Sequence, residues 1–339
     1  MAKSFLLALD GSQEALFAAD VAAALSETKN AKLTAQTVVD SQSLWEIVGQ
    51  DLPGIIGSGP YMAAYQTIEM TLRSVAETLM HAFECRIANS GIEATCEIDE
   101  GNIIDSILRR AVSHDLVVMG HKSKLRQRHI HQKRYINTSL CQRVAELCPV
   151  PLLVVQNAMQ LWKRSVLLVS AETYSPETIK AFVQLTKLTD RKAEIVCTGR
   201  SKTIDSLINS VRQELSESYD REIDGLPISV VGRRLYELEK FLSSAGAENN
   251  DTLVVLTTCA TEQGRKVCTG ESLDYVIRDV AAACTLFLPP QNTSSFSEQS
   301  VATAGNTAPA SRAVESSRAV ESSRAEEAGR AAEVSKAGR

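Results

Sequence analysis

Short apolar runs and amphipathic stretches alternate along the first half of the chain. SFLLALD (4–10), LTAQTVVD (33–40), EATCEIDEG (93–101), DLVVMG (115–120) and Leu152 to Val155 have the length and composition of buried strands. Between them lie segments of helical period. After Gly11-Ser12, Leu16, Ala19, Ala23 and Leu25 keep helical spacing. A long helix over about 61–89 is predicted to carry Ile68, Leu72, Val75, Leu79 and Phe83 along one face. The stretch before it is broken by Gly49, Pro53, Gly54, Gly57, Gly59 and Pro60. NIIDSILRRAVSH predicts a further helix with Ile103, Ile104, Ile107, Leu108 and Ala111 inward, and another opens near Thr138 and Ser139. Strands separated by covering helices imply a parallel, doubly wound sheet, because parallel neighbours need a crossover connection.

The second half repeats the plan. RSVLLVS (164–170), AEIVCTG (193–199), PISVVG (227–232), DTLVVLTT (251–258) and TLFLP (285–289) are its strands, with helices expected near 175–188, 203–219, 234–245 and 271–282. The fold class is therefore α/β: two tandem Rossmann-like domains, each a five-stranded, mainly parallel sheet flanked by helices. The boundaries read as 1–156 for the first domain, 157–163 for a linker and 164–290 for the second. The bare apolar fifth strands, Leu152 to Val155 and Thr285 to Leu288, are expected to bring the halves together face to face, a pseudo-dimer within one chain that leaves room for a homodimer. Residues 291–339 are a tail of Ser, Arg, Ala and Glu in six-residue repeats beginning SRAVES. Six residues turn a helix by about 600°, so the repeat lays down no apolar stripe and a disordered tail is expected.

Composition narrows the function. With 339 residues at 44% apolar, the chain can bury two ordinary cores. A net charge of −5 does not suggest a general nucleic-acid binder. No run approaches the roughly 18 apolar residues of a membrane span. The 8 cysteines contain no CxxC pair and mostly fall in apolar patterns, as reduced thiols of a cytoplasmic protein would.

One loop stands apart. Between Asp115 and Glu146 there is no acid, while residues 121–134 hold Lys122, Lys124, Arg126, Arg128, Lys133 and Arg134 with His121, His129 and His131. It follows the fourth strand, where backbone amides and the next helix N-terminus can hold an anion. An anionic ligand or an acidic protein partner is expected there, with a plain solvated loop as the alternative. The three histidines lack a nearby thiolate or carboxylate, so no metal is expected. No Ser-His-Asp or Cys-His set and no G-x4-GK[ST] loop occurs, so the chain is not expected to be an enzyme, weak ATP hydrolysis being the one activity left open.

ALDGS (8–12), TVVD (37–40), GNIIDSIL (101–108), DLVVMG (115–120) and TSLCQRVAELCPVPLLVV (138–155) together resemble the universal stress protein family in its tandem form. The resemblance covers 1–156, and 164–289 weakly. It implies an adenine nucleotide alpha hydrolase-like fold, a role in stress response or regulation, and an ATP or related adenine nucleotide site in domain one, with magnesium as a companion ion. By resemblance that site takes Asp10, Gly11 and Ser12 after strand one, Val38 and Met119 beside the base, and Gly120, Ser139 and Leu140 near the phosphates. ATP-binding members carry G-x2-G-x9-G-[ST] after strand four. Here Gly120 is kept, Ser123 takes the second glycine position, and Thr138-Ser139 ends a longer loop. The helix cap survives and the tight glycine cradle is lost. Equally, Asp10 and Ser12 could be a helix cap, and Val38 and Met119 ordinary core. In the second half Ala171 replaces the strand-one aspartate, Thr257 the glycine after strand four, and Glu271 the Ser/Thr after Gly270, which argues against a nucleotide there. The competing reading is a non-nucleotide interaction scaffold that uses the basic loop and the tail.

Overall fold

The structure is a computed structural model that describes residues 3–49, 54–121, 140–156, 161–187, 192–198, 201–218, 226–231, 252–261, 264–267 and 284–289, apart from 89 and 172, together with 237 and 241. The tail, the basic loop and the helices expected near 234–245 and 271–282 fall almost wholly outside these residues.

By its contacts Met1–Gln291 is one compact unit. Its sheet runs in the order β3-β2-β1-β4-β5-β11-β9-β6-β7-β8. The first half supplies β1 (Ser4–Ala8), β2 (Lys32–Val39), β3 (Ala94–Glu100), β4 (Leu116–Gly120) and β5 (Leu152–Val155), all parallel. The second supplies β6 (Arg164–Ser170), β7 (Lys192–Thr198), β8 (Ile228–Val231), β9 (Thr252–Thr261) and β11 (Cys284–Leu288), again parallel and in mirrored order. The two meet where β11 pairs antiparallel with β5, Cys284 opposite Val155 and Phe287 opposite Leu152. The contact is edge to edge within one sheet, where the sequence reading has the halves face to face. Strands buried on both faces still have unpaired backbone at their edges, and pairing is the way to satisfy it.

Side chains alternate across this sheet. Leu7, Leu33, Leu153, Val155, Leu167, Leu253 and Leu286 face one core, which also takes α1 (Gln13–Lys29), the C-terminal part of α3 (Gly54–Ile87), α6 (Pro176–Lys187) and α7 (Ser201–Ser218). Leu6, Val117, Met119, Leu152, Val154, Val166, Val254 and Phe287 face the other, against α4 (Ile103–Ala111) and α5 (Leu140–Leu147). The first core runs through both halves. Trp162, in the segment read as linker, is 1% exposed within it, so the connection is packed at that point.

Three elements depart from the sequence reading. A short helix, α2 (Ser41–Gly49), lies before the glycine-rich stretch and ends at its first glycine; it is started by Asp40, whose Oδ1 accepts from the Ser43 amide at 3.0 Å. The long helix begins at Gly54 and buries Ala76, Met80, Phe83 and Ile87, leaving Ile68, Leu72 and Val75 exposed. On α1 the buried face is Ala15, Ala18, Ala19, Ala22 and Leu25, with Leu16 outside. Beyond the sheet β9 continues into an antiparallel hairpin with β10 (Gly264–Val267), which lies beside α5. Among the described residues no helix is long and apolar enough to cross a membrane.

Candidate functional site

In the first half the chain leaves β1 toward β2 and β3, then returns to β1's other side with β4. Such a reversal opens a crevice at the carboxyl ends of the two strands, the usual ligand position in open parallel sheets. One wall is the turn after β1. Leu9 is anchored by its amide to the Gln36 carbonyl at 2.8 Å and by its carbonyl, which accepts from Thr37 Oγ1 at 2.9 Å. Asp10 is exposed and its Oδ1 accepts from the Ser12 amide at 2.9 Å. Gly11 takes φ +74°, a left-handed turn that a side chain would strain. Ser12 is the buried N-cap of α1, its Oγ accepting from the Ala15 amide at 3.1 Å. Ser12 is therefore committed to the helix, while Asp10 faces outward.

The other wall is the end of β4. Met119 is 3% exposed and belongs to the core under α4 and α5. Gly120 is half-buried, and a Cβ built on it would fall 2.4 Å from the Glu14 carbonyl carbon and 2.5 Å from the Ala15 amide nitrogen. The glycine is thus required by the first turn of α1, which passes directly over it. Cys141 fastens the far side by donating from Sγ to the Gly120 carbonyl at 3.4 Å, and the His121 amide donates to Val155 at 2.8 Å. Leu140, the first residue of α5, is half-buried beside it. Val38 is half-buried on β2, two residues from Gln36 and so on the same sheet face. Asp10, Gly11, Ser12, Val38, Met119, Gly120 and Leu140 therefore share the carboxyl edge. Ser139 and the six basic residues Lys122, Lys124, Arg126, Arg128, Lys133 and Arg134 lie outside the described residues.

Charge divides the edge. Glu14 sits in the first turn of α1 and suits that helix's positive end, which leaves α1 poorly placed to receive a phosphate. The first turn of α5 has no acid. Behind β2, Asp99 receives Gln36 Nε2 at 2.6 Å and Arg110 through Nε at 2.5 Å and Nη2 at 2.9 Å, and Arg110 also reaches Glu97 at 3.1 Å. The Arg110 hydrogen bonds, helped by Gln36, outweigh burial and hold the Asp99 carboxyl below its ordinary value. This cluster was not legible in the sequence, since only the register of β2 and β3 brings Gln36 to Asp99. It ties β2 and β3 to α4.

The second half has the matching reversal between β6 and β9. There Thr257 Oγ1 donates to Thr173 Oγ1 at 2.6 Å, and Ser170 meets the same oxygen through its amide at 3.3 Å and its hydroxyl at 3.2 Å. All three are buried. The hydroxyls bridge the end of β6 to the end of β9. Among the described residues no group of His, Cys, Asp and Glu is arranged to hold a metal.

A doubly wound α/β sheet with a topological switch point in each half is the class that the fold defines. Residues 1–156 match the sequence model of the Universal stress protein family. Among solved structures, the chain resembles a universal stress protein from Archaeoglobus fulgidus DSM 4304 at 12% identity and TM-score 0.58, over 85% of this chain and 96% of that one. It also resembles UspA from Lactobacillus plantarum (20% identity, TM-score 0.34, 45% and 96% covered) and a universal stress protein solved in complex with cAMP (19%, 0.31, 46% and 97%). The likeness to the Archaeoglobus protein is one of fold. No curated protein matches the chain. Residues 1–156 thus carry a universal stress protein domain, and the second half repeats its strand order.

Proposed function

We propose that the crevice of the first half binds an adenine nucleotide and that the chain is a nucleotide-responsive regulator in the cytoplasmic stress response, without a catalytic role. The observation that carries this is the contrast between the two switch points: Asp10 exposed at the first, three hydroxyls closed on one another at the second. Asp10 suits the ribose hydroxyls, Val38 offers an apolar surface to a base, and phosphates would turn toward α5 and the basic residues Lys122 to Arg134, with magnesium as counterion. Calorimetry with ATP, ADP and AMP, with and without magnesium, tests it. The expected result is one nucleotide per chain, weakened by about 1–3 kcal/mol on Asp10→Ala, the usual cost of an unpaired polar partner. Thr257→Val should leave binding unchanged. No heat with any of the three would overturn it.

One observation favours a second reading. The space beside Gly120 is taken by α1, so that glycine is explained by packing without any phosphate. The chain would then be an interaction scaffold working through its basic loop. Its partner would be an acidic surface, released by salt as counterions return.

A further inference from the structure

The stripe of α3 that the sequence presents as a core face meets the core only at its C-terminal end, through Leu79 and Phe83, and Ile68, Leu72 and Val75 face none. The helix has 34 residues and is about 51 Å long, against roughly 26 Å for the eight-residue β2. Arg73 Nη1 pairs with Glu100, the last residue of β3, at 2.5 Å, so the helix crosses the carboxyl edge of the sheet near that point. Everything N-terminal to it overhangs. α2 folds back on the overhang, Trp45 meeting Tyr65 edge to face with ring centroids 5.5 Å apart.

Along this overhang and into the turns just past Arg73, Tyr61, Tyr65, Ile68, Leu72, Val75 and Leu79 recur at alternating spacings of four and three, Leu79 lying half-buried against the core. That is the seam of a two-helix coil, in which apolar knobs enter holes on a facing helix. Tyr61, Ile68, Leu72 and Val75 are exposed, as are Trp45 and Ile47 on α2. These six side chains expose on the order of 500 Å², as large as the biggest apolar patch on an ordinary monomer.

We propose that this stripe pairs with the same stripe of a second copy of the chain, antiparallel, about a twofold axis near residue 70. In that register Ile68 meets Leu72 of its mate, Tyr65 meets Val75, and Tyr61 meets Leu79, so every seam position finds an apolar partner. A twofold contact must be complementary to itself, and this one sets no like charges opposite each other. Glu69 falls beside Thr71, Arg73 beside Thr67, and Glu77 beside Ala63. The pair also bears on the candidate site. A Cβ built on Gly11 would lie 3.9 Å from Leu79 Cδ2, so the mate's Tyr61 would arrive at the mouth of the crevice.

Sedimentation velocity of the full chain across the micromolar range tests the pairing. Wild type should dimerise with rising concentration, and Ile68→Asp with Leu72→Asp should remain monomeric at an unchanged melting temperature, since both positions are exposed. Register is tested by crosslinking with oxidised glutathione in a Cys85→Ser background. Thr71→Cys, next to the axis, should form a disulfide dimer, and Tyr61→Cys, about 27 Å from its mate along the axis, should not. Should the aspartate variant fail to fold, the crosslinking pair decides alone. A wild type that stays monomeric overturns the proposal, and a stripe then uncovered by deleting residues 292–339 would name the tail as its occupant. Dimerisation undiminished by the aspartates, or equal crosslinking at both positions, overturns it as well.

Discussion

Asp99 shows how a single carboxylate can tie two strands and a helix together. Arg110 grips it with two nitrogens and Gln36 with a third. Its folded value lies below the ordinary 3.8, so the ionised form is the one the fold favours. The stability it confers is present above the unfolded value and is lost as pH falls through that value toward the folded one. Asp99→Asn should therefore lower the melting temperature at neutral pH and flatten its decline below about pH 4, as read by thermal scans across pH. An identical acid limb in wild type and variant would refute the role. Cys284 works at the other end. Burial pushes its thiol up to about 12, so it should stay unreactive toward alkylating agents in the folded chain at neutral pH.

At the level of elements, the first helix and the fourth strand explain each other. Gly120 has no room for a Cβ because α1 starts directly above it, and α1 can lie so low because its buried face is built of alanines. Gly120→Ala should cost about 1–3 kcal/mol by overpacking, measured by chemical denaturation. A neutral result would mean that α1 lifts without penalty. The apolar runs made the strands legible from sequence alone, since β1, β4, β5, β6 and β11 are each too short and too apolar to be anything else. Faces were harder. The periodicity of α3 offers two stripes one position apart. Only the overhang decides that Met80, Phe83 and Ile87 are covered while Ile68, Leu72 and Val75 are not. The Asp10, Gly11 and Ser12 turn was legible as a site edge. That Ser12 is spent on a cap and Gly120 on a helix was not, because sequence names a glycine without naming the atom that approaches it.

For the whole molecule, the seam between β5 and β11 carries the joining of the halves. All four residues of β5 are buried, and β11 supplies their last neighbour. A fragment of residues 1–156 carrying Ile68→Asp and Leu72→Asp should therefore dimerise through its bared β5 edge, as light scattering would show. A monomeric fragment would mean that the edge tolerates solvent and that β11 is dispensable to the first half.

That same seam fixes where the molecule can be approached. Because β11 runs against β5, the carboxyl ends of the first half's strands and those of the second point in opposite directions. A visitor at the Asp10 crevice and a visitor at the β9–β10 hairpin arrive at opposite poles, with the length of a strand between them. Neither would crowd the other out.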